Sequence, residues 1–253
     1  EQYKPRFSNS WDEYRNSIWH RVGYVNWGYE AVGRFDSWEQ IANYPIDNDR
    51  KGNRTVVPGD IMYKDQNNDG VINYLDERPI GYRVDSTPTL NFGINLAASW
   101  KGFDLAMDWT GSGMTSWNQC WETARPFQND GNSPDEVLKD AWHLSDIWDA
   151  DSPLIAGKYP MVRLNSDETS AYDKSSYWLH NVTYLKLRNL EFGYTFPKTW
   201  LNRTGISNLR LFVSGTNLLT LSNLSVMDPE CASDNGLDYP PMRVINIGVN
   251  LKF

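Results

Sequence analysis

Twelve consecutive residues, Asp65-Gln66-Asn67-Asn68-Asp69-Gly70-Val71-Ile72-Asn73-Tyr74-Leu75-Asp76, have the spacing that chelates a hard divalent cation. Calcium takes roughly six to eight oxygens, and a D-x-N-x-D-G run wraps alternate side chains around one centre while the glycine permits the sharp turn. On that geometry Asp65, Asn67 and Asp69 present side-chain oxygens, Val71 its carbonyl and Asp76 the closing carboxylate, with Ile72 packed beneath. The cofactor expected is a structural calcium ion. An Asp in place of the longer Glu at the closing position, and the lack of a flanking helix pair, lower the affinity expected.

A second group of residues suits ligand stacking. Trp117, Trp121, Trp142 and Trp148 stand among Asn118, Asn129, Asp130 and Asp146, so flat apolar faces alternate with hydrogen-bonding groups, as sugar rings require. These four tryptophans are the candidate substrate-binding residues, for an oligosaccharide or for a peptide with apolar side chains. Their other role would be a small core for their own segment, or contact with a partner protein. No catalytic arrangement accompanies them. His20, His143 and His180 lack metalloprotease spacing, no nucleophile elbow is present, and Asp149 with Asp151 or Asp167 with Glu168 read as solvated loop carboxylates. The chain reads as a binding or transport protein and not as an enzyme.

Charge narrows the partners. The 253 residues carry 24 Lys plus Arg against 32 Asp plus Glu, a net charge of -8, which disfavours nucleic acid. No apolar run is long enough for a membrane-spanning helix, a test that β-barrel strands escape because they alternate lipid-facing and lumen-facing residues. Cys120 and Cys231 lie outside any metal-type spacing, and both a disulfide and two thiols remain open. Glu1-Gln2-Tyr3-Lys4-Pro5-Arg6 has neither an initiating Met nor an apolar signal region, so the chain reads as a piece of a longer protein.

The elements that must position these groups are strands. Helix signals are short: Ser37 to Ala42, with Ser37 capping and Gln40 three places on, and Ser133 to Trp142. From Pro88 to Trp100, Leu90, Phe92, Ile94, Leu96, Ala98 and Trp100 alternate with small or polar residues, and after a Lys101-Gly102 turn Phe103, Leu105, Met107 and Trp109 do the same. A loop of about 65 residues, 113–178, follows. Residues 181–196 form the next strand, with a bulge or a change of environment expected near Asn189 because Leu185 and Leu187 fall on the opposite parity to Leu190, Phe192 and Tyr194. After a connection at 197–208, Leu209 to Leu219 and, beyond an irregular stretch at 220–242, Ile245 to Phe253 complete the set. Strands of this length, alternating short and long turns and a closing strand with an aromatic end are expected of an outer-membrane barrel. The division expected is an extracellular loop region at 1–86, holding the calcium-type loop 65–76, and barrel strands at 87–253 with long extracellular loops at 113–178 and 220–242.

The chain resembles the C-terminal part of the SusC/RagA-like TonB-dependent outer-membrane transporters. The resemblance rests on Gly33-Arg34-Phe35-Asp36-Ser37-Trp38-Glu39-Gln40-Ile41, on Pro58-Gly59-Asp60-Ile61-Met62-Tyr63-Lys64-Asp65 running into the acidic loop, and on Ile80-Gly81 and Lys101-Gly102-Phe103-Asp104-Leu105. Tyr184 to Leu190 with Gly193 to Pro197, Ser214 to Leu218, Asp228-Pro229-Glu230 and Tyr239-Pro240 follow in the family's order. Gln40, where the family has Glu, and Glu77-Arg78 after Asp76 are minor departures. The resemblance implies an all-β fold, the closing antiparallel strands of a large 22-stranded transmembrane barrel in the outer membrane of a Gram-negative bacterium. It further implies import of oligosaccharides or peptides with a SusD-like lipoprotein as lid and a TonB complex as energy source. The N-terminal barrel and plug would be partners, since open strand edges are not tolerated in lipid. The alternative is a soluble calcium-dependent carbohydrate-binding β module.

Overall fold

The computed structural model describes residues 6–17, 24–83, 87–164, 169–202, 205–230, 235–236, 238–239 and 241–253. His20, Asp167, Glu168, Cys231 and Pro240 lie outside the described residues, and with Cys231 the question of a Cys120–Cys231 bond. The first half holds α1 (Ser10–Asn16), β1 (Val25–Gly28), β2 (Ala31–Arg34), α2 (Trp38–Ala42), β3 (Ile61–Tyr63), β4 (Arg78–Arg83), β5 (Leu90–Trp100) and β6 (Phe103–Asn118). The second holds α3 (Asp135–Lys139), β7 (His143–Leu144), β8 (Leu154–Ile155), β9 (Leu179–Thr195), α4 (Lys198–Leu201), β10 (Asn208–Ser222) and β11 (Val244–Lys252). Two compact units result: residues 1–86 with 116–180, and residues 87–115 with 181–253.

In the first unit β1 pairs with β4, β2 with β3 and β7 with β8. These short ribbons are held by a core that includes Tyr29, Ile61, Tyr63, Ile72, Val137, Tyr159, Tyr172 and Trp178, each almost fully buried. Trp178 sits at its centre. Its ring stacks on Tyr172 at 5.6 Å and Tyr159 at 6.1 Å, meets Tyr177 edge-on at 4.8 Å, and its Nε1 donates to the Ala171 carbonyl at 2.8 Å. Ring pairs of this geometry add about 0.5–1.5 kcal/mol each to the burial of their area. The described residues of the long segment between β6 and β9 therefore pack into one core with residues 29–72.

α2 forms as the cap predicts, with Ser37 Oγ accepting from the Gln40 N–H at 3.2 Å. The expected helix over 133–142 is shorter. It begins after Pro134 and ends at Lys139, because Asp140 and Trp142 exchange backbone bonds with Tyr159 at 2.9 Å each instead.

The second unit is one antiparallel sheet in the order β11-β10-β9-β6-β5. Leu90, Phe92, Ile94, Leu96, Phe192, Leu211, Val213, Ile247, Val249 and Leu251 are all exposed on it. In the β5–β6 hairpin Ile94 pairs with Trp109, Leu96 with Met107 and Trp100 with Phe103, so one face is apolar throughout. One correction applies. β6 runs to Asn118 and not to a loop start at 113, since small residues such as Gly111, which lies under the Phe92 ring, pair without apolar alternation to announce them. The irregularity expected near Asn189 is present. The β10–β9 register shifts between Thr216 and Leu219, where Asn217 has φ 53°. Arg188 and Asn189 are adjacent, yet both reach β6, through Thr110 Oγ1 at 3.1 Å and Asp108 Oδ2 at 3.2 Å, which is the change of parity the leucines require.

Lys101 and Gly102, at φ 50° and 92°, turn the hairpin with positive φ at both central residues, and the Thr195 N–H donates to the Gly102 carbonyl at 2.7 Å. A Cβ at residue 102 would meet the Thr195 oxygen at 2.7 Å. Gly102→Val therefore costs at least about 1–2 kcal/mol in left-handed strain. The heat-modifiable gel mobility of the complete folded barrel should collapse at a lower temperature, and an unchanged transition would refute the assignment of this turn.

Candidate functional site

The acidic loop is built by backbone amides. Asp65 accepts from the N–H groups of Asn68 at 2.6 Å and Gly70 at 2.8 Å, Asp69 from Val71 at 2.9 Å, and Asp76 from Gln66 and Asn73 at 2.8 Å each. Gly70 has φ 83°, the turn the spacing requires, and Ile72 is fully buried in the core below. The Val71 amide and the side chains of Asn67 and Asn73 hold the exposed Asp69 carboxyl below its usual range.

One carboxylate oxygen from each of Asp65, Asp69 and Asp76 lies within 4.8 Å of the others. Oxygens across a calcium ion stand about 4.6–5.2 Å apart, twice a bond of about 2.3–2.6 Å, so the three can share one ion. Asn67 Nδ2 and Asn73 Nδ2 donate to Asp69 at 2.8 and 3.2 Å, and a cation at this centre requires both amides to turn their oxygens inward. Asn73 is a donor that the ligand set Asp65, Asn67, Asp69, Val71 and Asp76 omits. It is ninth in the run, a ligand position of such loops, and it caps the short 3-10 turn Tyr74–Asp76.

The loop leans on a brace in the same unit. Asp47 N–H donates to the Gly70 carbonyl at 2.8 Å and Ile72 N–H to the Asp47 carbonyl at 2.9 Å. Behind this, the buried Asp49 carboxylate accepts from the amides of Lys51, Asn53 and Thr55 and from the Thr55 hydroxyl, all within 2.7–2.8 Å. Burial pushes its pKa up, but these hydrogen bonds, those from Thr55 foremost, outweigh it and hold the carboxyl down at about 2.

The four tryptophans do not form one platform. Trp117 is 3% exposed and stacks on His180 at 5.6 Å, and Trp142 is 8% exposed with its ring against Gly59. Neither offers a face to a ligand, because both rings are buried in the packing of the first unit. Trp121 and Trp148 are exposed, at 51% and 91%. Trp121 carries Arg125 over its ring at 5.4 Å, and Trp148 stands on the turn between β7 and β8, its N–H donating to Asp146 Oδ1 at 2.9 Å. Of the described histidines, His180 hydrogen-bonds Gln119 Oε1 through Nε2 at 3.0 Å and the exposed His143 meets the Ala141 carbonyl through Nδ1 at 2.8 Å.

The sheet of the second unit opposes its apolar face with ion pairs. Arg210 Nε bonds Asp104 Oδ1 at 3.1 Å and its Nη2 bonds Glu191 at 2.6 Å. Exposed Leu, Ile, Val and Phe on one side and charged ladders on the other define the wall of a transmembrane β-barrel.

Comparison with known proteins agrees. No family model matches the chain. It is 30% identical over 242 residues to TonB-dependent receptor P3 of Formosa agariphila, covering 88% of this chain and 22% of that protein. It is 24% identical over 252 residues to TonB-dependent receptor SusC of Bacteroides thetaiotaomicron, covering 92% and 20%. Among solved structures, the RagAB peptide importer in its open-open state superposes with a TM-score of 0.57 at 22% identity, over 92% of this chain and 23% of that one. The chain thus spans about a fifth of the length of the curated relatives it matches. It belongs to the SusC/RagA-like TonB-dependent transporters and corresponds to a C-terminal part of one.

The Asp49 brace has a pH signature. Its folded pKa lies below the unfolded value of about 3.9, so its contribution, on the order of 2 kcal/mol, is fully present above that value and is lost as pH falls from about 4 to about 2. Pepsin digestion of the complete transporter should cut within 47–60 far faster at pH 2 than at pH 4. Asp49→Ala should show rapid cutting at both, and equal wild-type cutting at the two pH values would contradict the brace.

Proposed function

We propose that this chain supplies closing barrel strands and extracellular loops to an outer-membrane importer of oligosaccharides. The observation that carries this is the five-stranded sheet with an exposed apolar face and a charged face, in a chain whose relatives are named as TonB-dependent receptors. Outer-membrane lipid covers the apolar face, and the N-terminal barrel and plug of the same transporter complete the wall. A TonB complex supplies the energy and a SusD-like lipoprotein closes the extracellular mouth. The family names of the relatives support this reading over a soluble carbohydrate-binding module. Trp121 and Trp148 are the aromatic faces left for substrate, and a peptide is the second reading, because the same rings accept apolar side chains.

Deleting the gene for the complete transporter should abolish growth on one oligosaccharide as sole carbon source, with Trp121→Ala and Trp148→Ala raising the concentration needed. Loss of growth on a peptide alone would move the assignment to peptides. Orientation is tested separately. With the connections 119–178 and 223–243 outside and 196–207 in the periplasm, an impermeant thiol reagent on intact cells, used on a transporter whose own cysteines are replaced by serine, should label Asp130→Cys and spare Lys198→Cys. The opposite pattern would overturn the orientation.

Calcium at Asp65, Asn67, Asp69, Val71 and Asp76, with Asn73 joining them, would stiffen the first unit and take no part in chemistry. The support is the shared 4.8 Å span of the three carboxylates. Saturating calcium at about 100 times Kd stabilises a folded state by about 2.7 kcal/mol. Calcium should therefore slow hydrogen exchange in residues 65–76 of the complete transporter, and Asp69→Ala should remove that response. Slowing that persists in Asp69→Ala would exclude this centre.

A further inference from the structure

On the charged face of the sheet, Lys186 of β9 is 1% exposed, and its ammonium is engaged by one short segment. Nζ donates to Asp228 Oδ1 at 3.0 Å, Asp228 Oδ2 at 2.9 Å and Glu230 Oε2 at 2.8 Å. Arg188 donates through Nη2 to the other Glu230 oxygen, and also to Asn217 Oδ1 at 3.2 Å and Thr110 Oγ1 at 3.1 Å. Glu230 therefore bridges two cations. Its own N–H donates to Asp228 Oδ1 at 3.0 Å, which makes Asp228-Pro229-Glu230 a compact clip.

Besides these cations, the Tyr184 hydroxyl hydrogen-bonds Glu230. Residues 223–230 follow β10, and none of them is buried. Asn223 fixes the start of the segment through Asn181 and Thr183, with Nδ2 on the Asn181 carbonyl at 2.7 Å. The far end depends on charge. Two cations face two carboxylates, so lifting the clip without a substitute takes both counter-charges away from Lys186 and Arg188. Another anion in its place restores that compensation. Neutral hydroxyls cannot, since they supply hydrogen bonds without compensating the charge.

We propose that Lys186 and Arg188 form a carboxylate-binding site on the barrel wall, filled in this structure by the chain's own Asp228 and Glu230, and that a carboxylate-bearing ligand releases residues 224–230 by exchanging for them. Acidic peptides and uronic-acid oligosaccharides share the required chemistry. This rests on the transporter reading only in that the charged face is taken as the one substrate meets.

The test is hydrogen–deuterium exchange of the complete transporter with its partner lipoprotein, read in peptides covering 223–230. The probes are tetraglutamate and tetragalacturonate, with tetraglutamine and maltotetraose as neutral controls at equal ionic strength. One or both acidic probes should speed exchange about tenfold or more, and which of them acts identifies the ligand source. The neutral probes should leave it unchanged. The near-isosteric pair Asp228→Asn with Glu230→Gln should exchange fast without any probe, and Arg188→Lys, which keeps the charge, should respond at higher probe concentrations. Slow exchange with every probe, equal speeding by neutral and acidic probes, or slow exchange in the Asp228→Asn/Glu230→Gln variant would each overturn the proposal. Uptake is not part of the readout. Clip release without import would sink the transporter reading and leave this site standing.

Discussion

A strand in hydrocarbon has no water to satisfy its backbone, so each N–H and C=O must be paired with a neighbouring strand while the side chains facing lipid stay apolar. The other features of the second unit answer to that constraint. β5, β6, β9, β10 and β11 are antiparallel neighbours in one sheet, and the apolar side chains that a water-soluble domain would bury are exposed on it. Lys101-Gly102 is held to a tight positive-φ turn because the β5–β6 register runs unbroken from Leu90–Gly113 to Trp100–Phe103, leaving no slack at the hairpin end. The opposite face is then free to be polar, and it carries Asp104, Glu191 and Arg210 as a charged ladder.

The pattern of that sheet was legible in the sequence because period-two alternation is a local signal. Leu90 to Trp100 and Ile245 to Leu251 can be assigned to a face from their own neighbours alone. What escaped was non-local. The end of β6, where Gly111, Ser112, Thr115 and Ser116 pair without apolar alternation, depends on the strands beside it. So does the position of the bulge. The leucines of β9 announce a change of parity, but whether β9 or its partner carries the extra residue depends on which can adopt left-handed backbone, and Asn217 does.

The acidic loop divides in the same way. Spacing places Asp65, Asn67, Asp69 and Gly70, because the turn is made by consecutive residues. It says nothing of the Asp49 brace, since Asp49 reaches Lys51, Asn53 and Thr55 in a second turn that meets the loop only through Asp47. Asn73, ninth in the run, was within reach of the same counting.

The tryptophans show why composition alone misleads about binding. A connection as long as 119–178 must offset the entropy of ordering itself, and it does so with aromatic side chains packed against those of residues 29–72. Trp178, Tyr172 and Tyr159 make the stack, with Tyr177 against its edge, and Trp142 is buried against Gly59. Rings left outside such a core are the ones whose exposure is not explained by folding. Trp121, with its backbone in the left-handed region at φ 50° and Arg125 over one side of its ring, and Trp148, on a turn fixed by Asp146 and Ser152, are exposed. Rigid backbone beneath an uncovered aromatic face is a costly arrangement for a surface that meets only water, and it lowers the entropy lost when a ligand ring or a partner side chain settles on it.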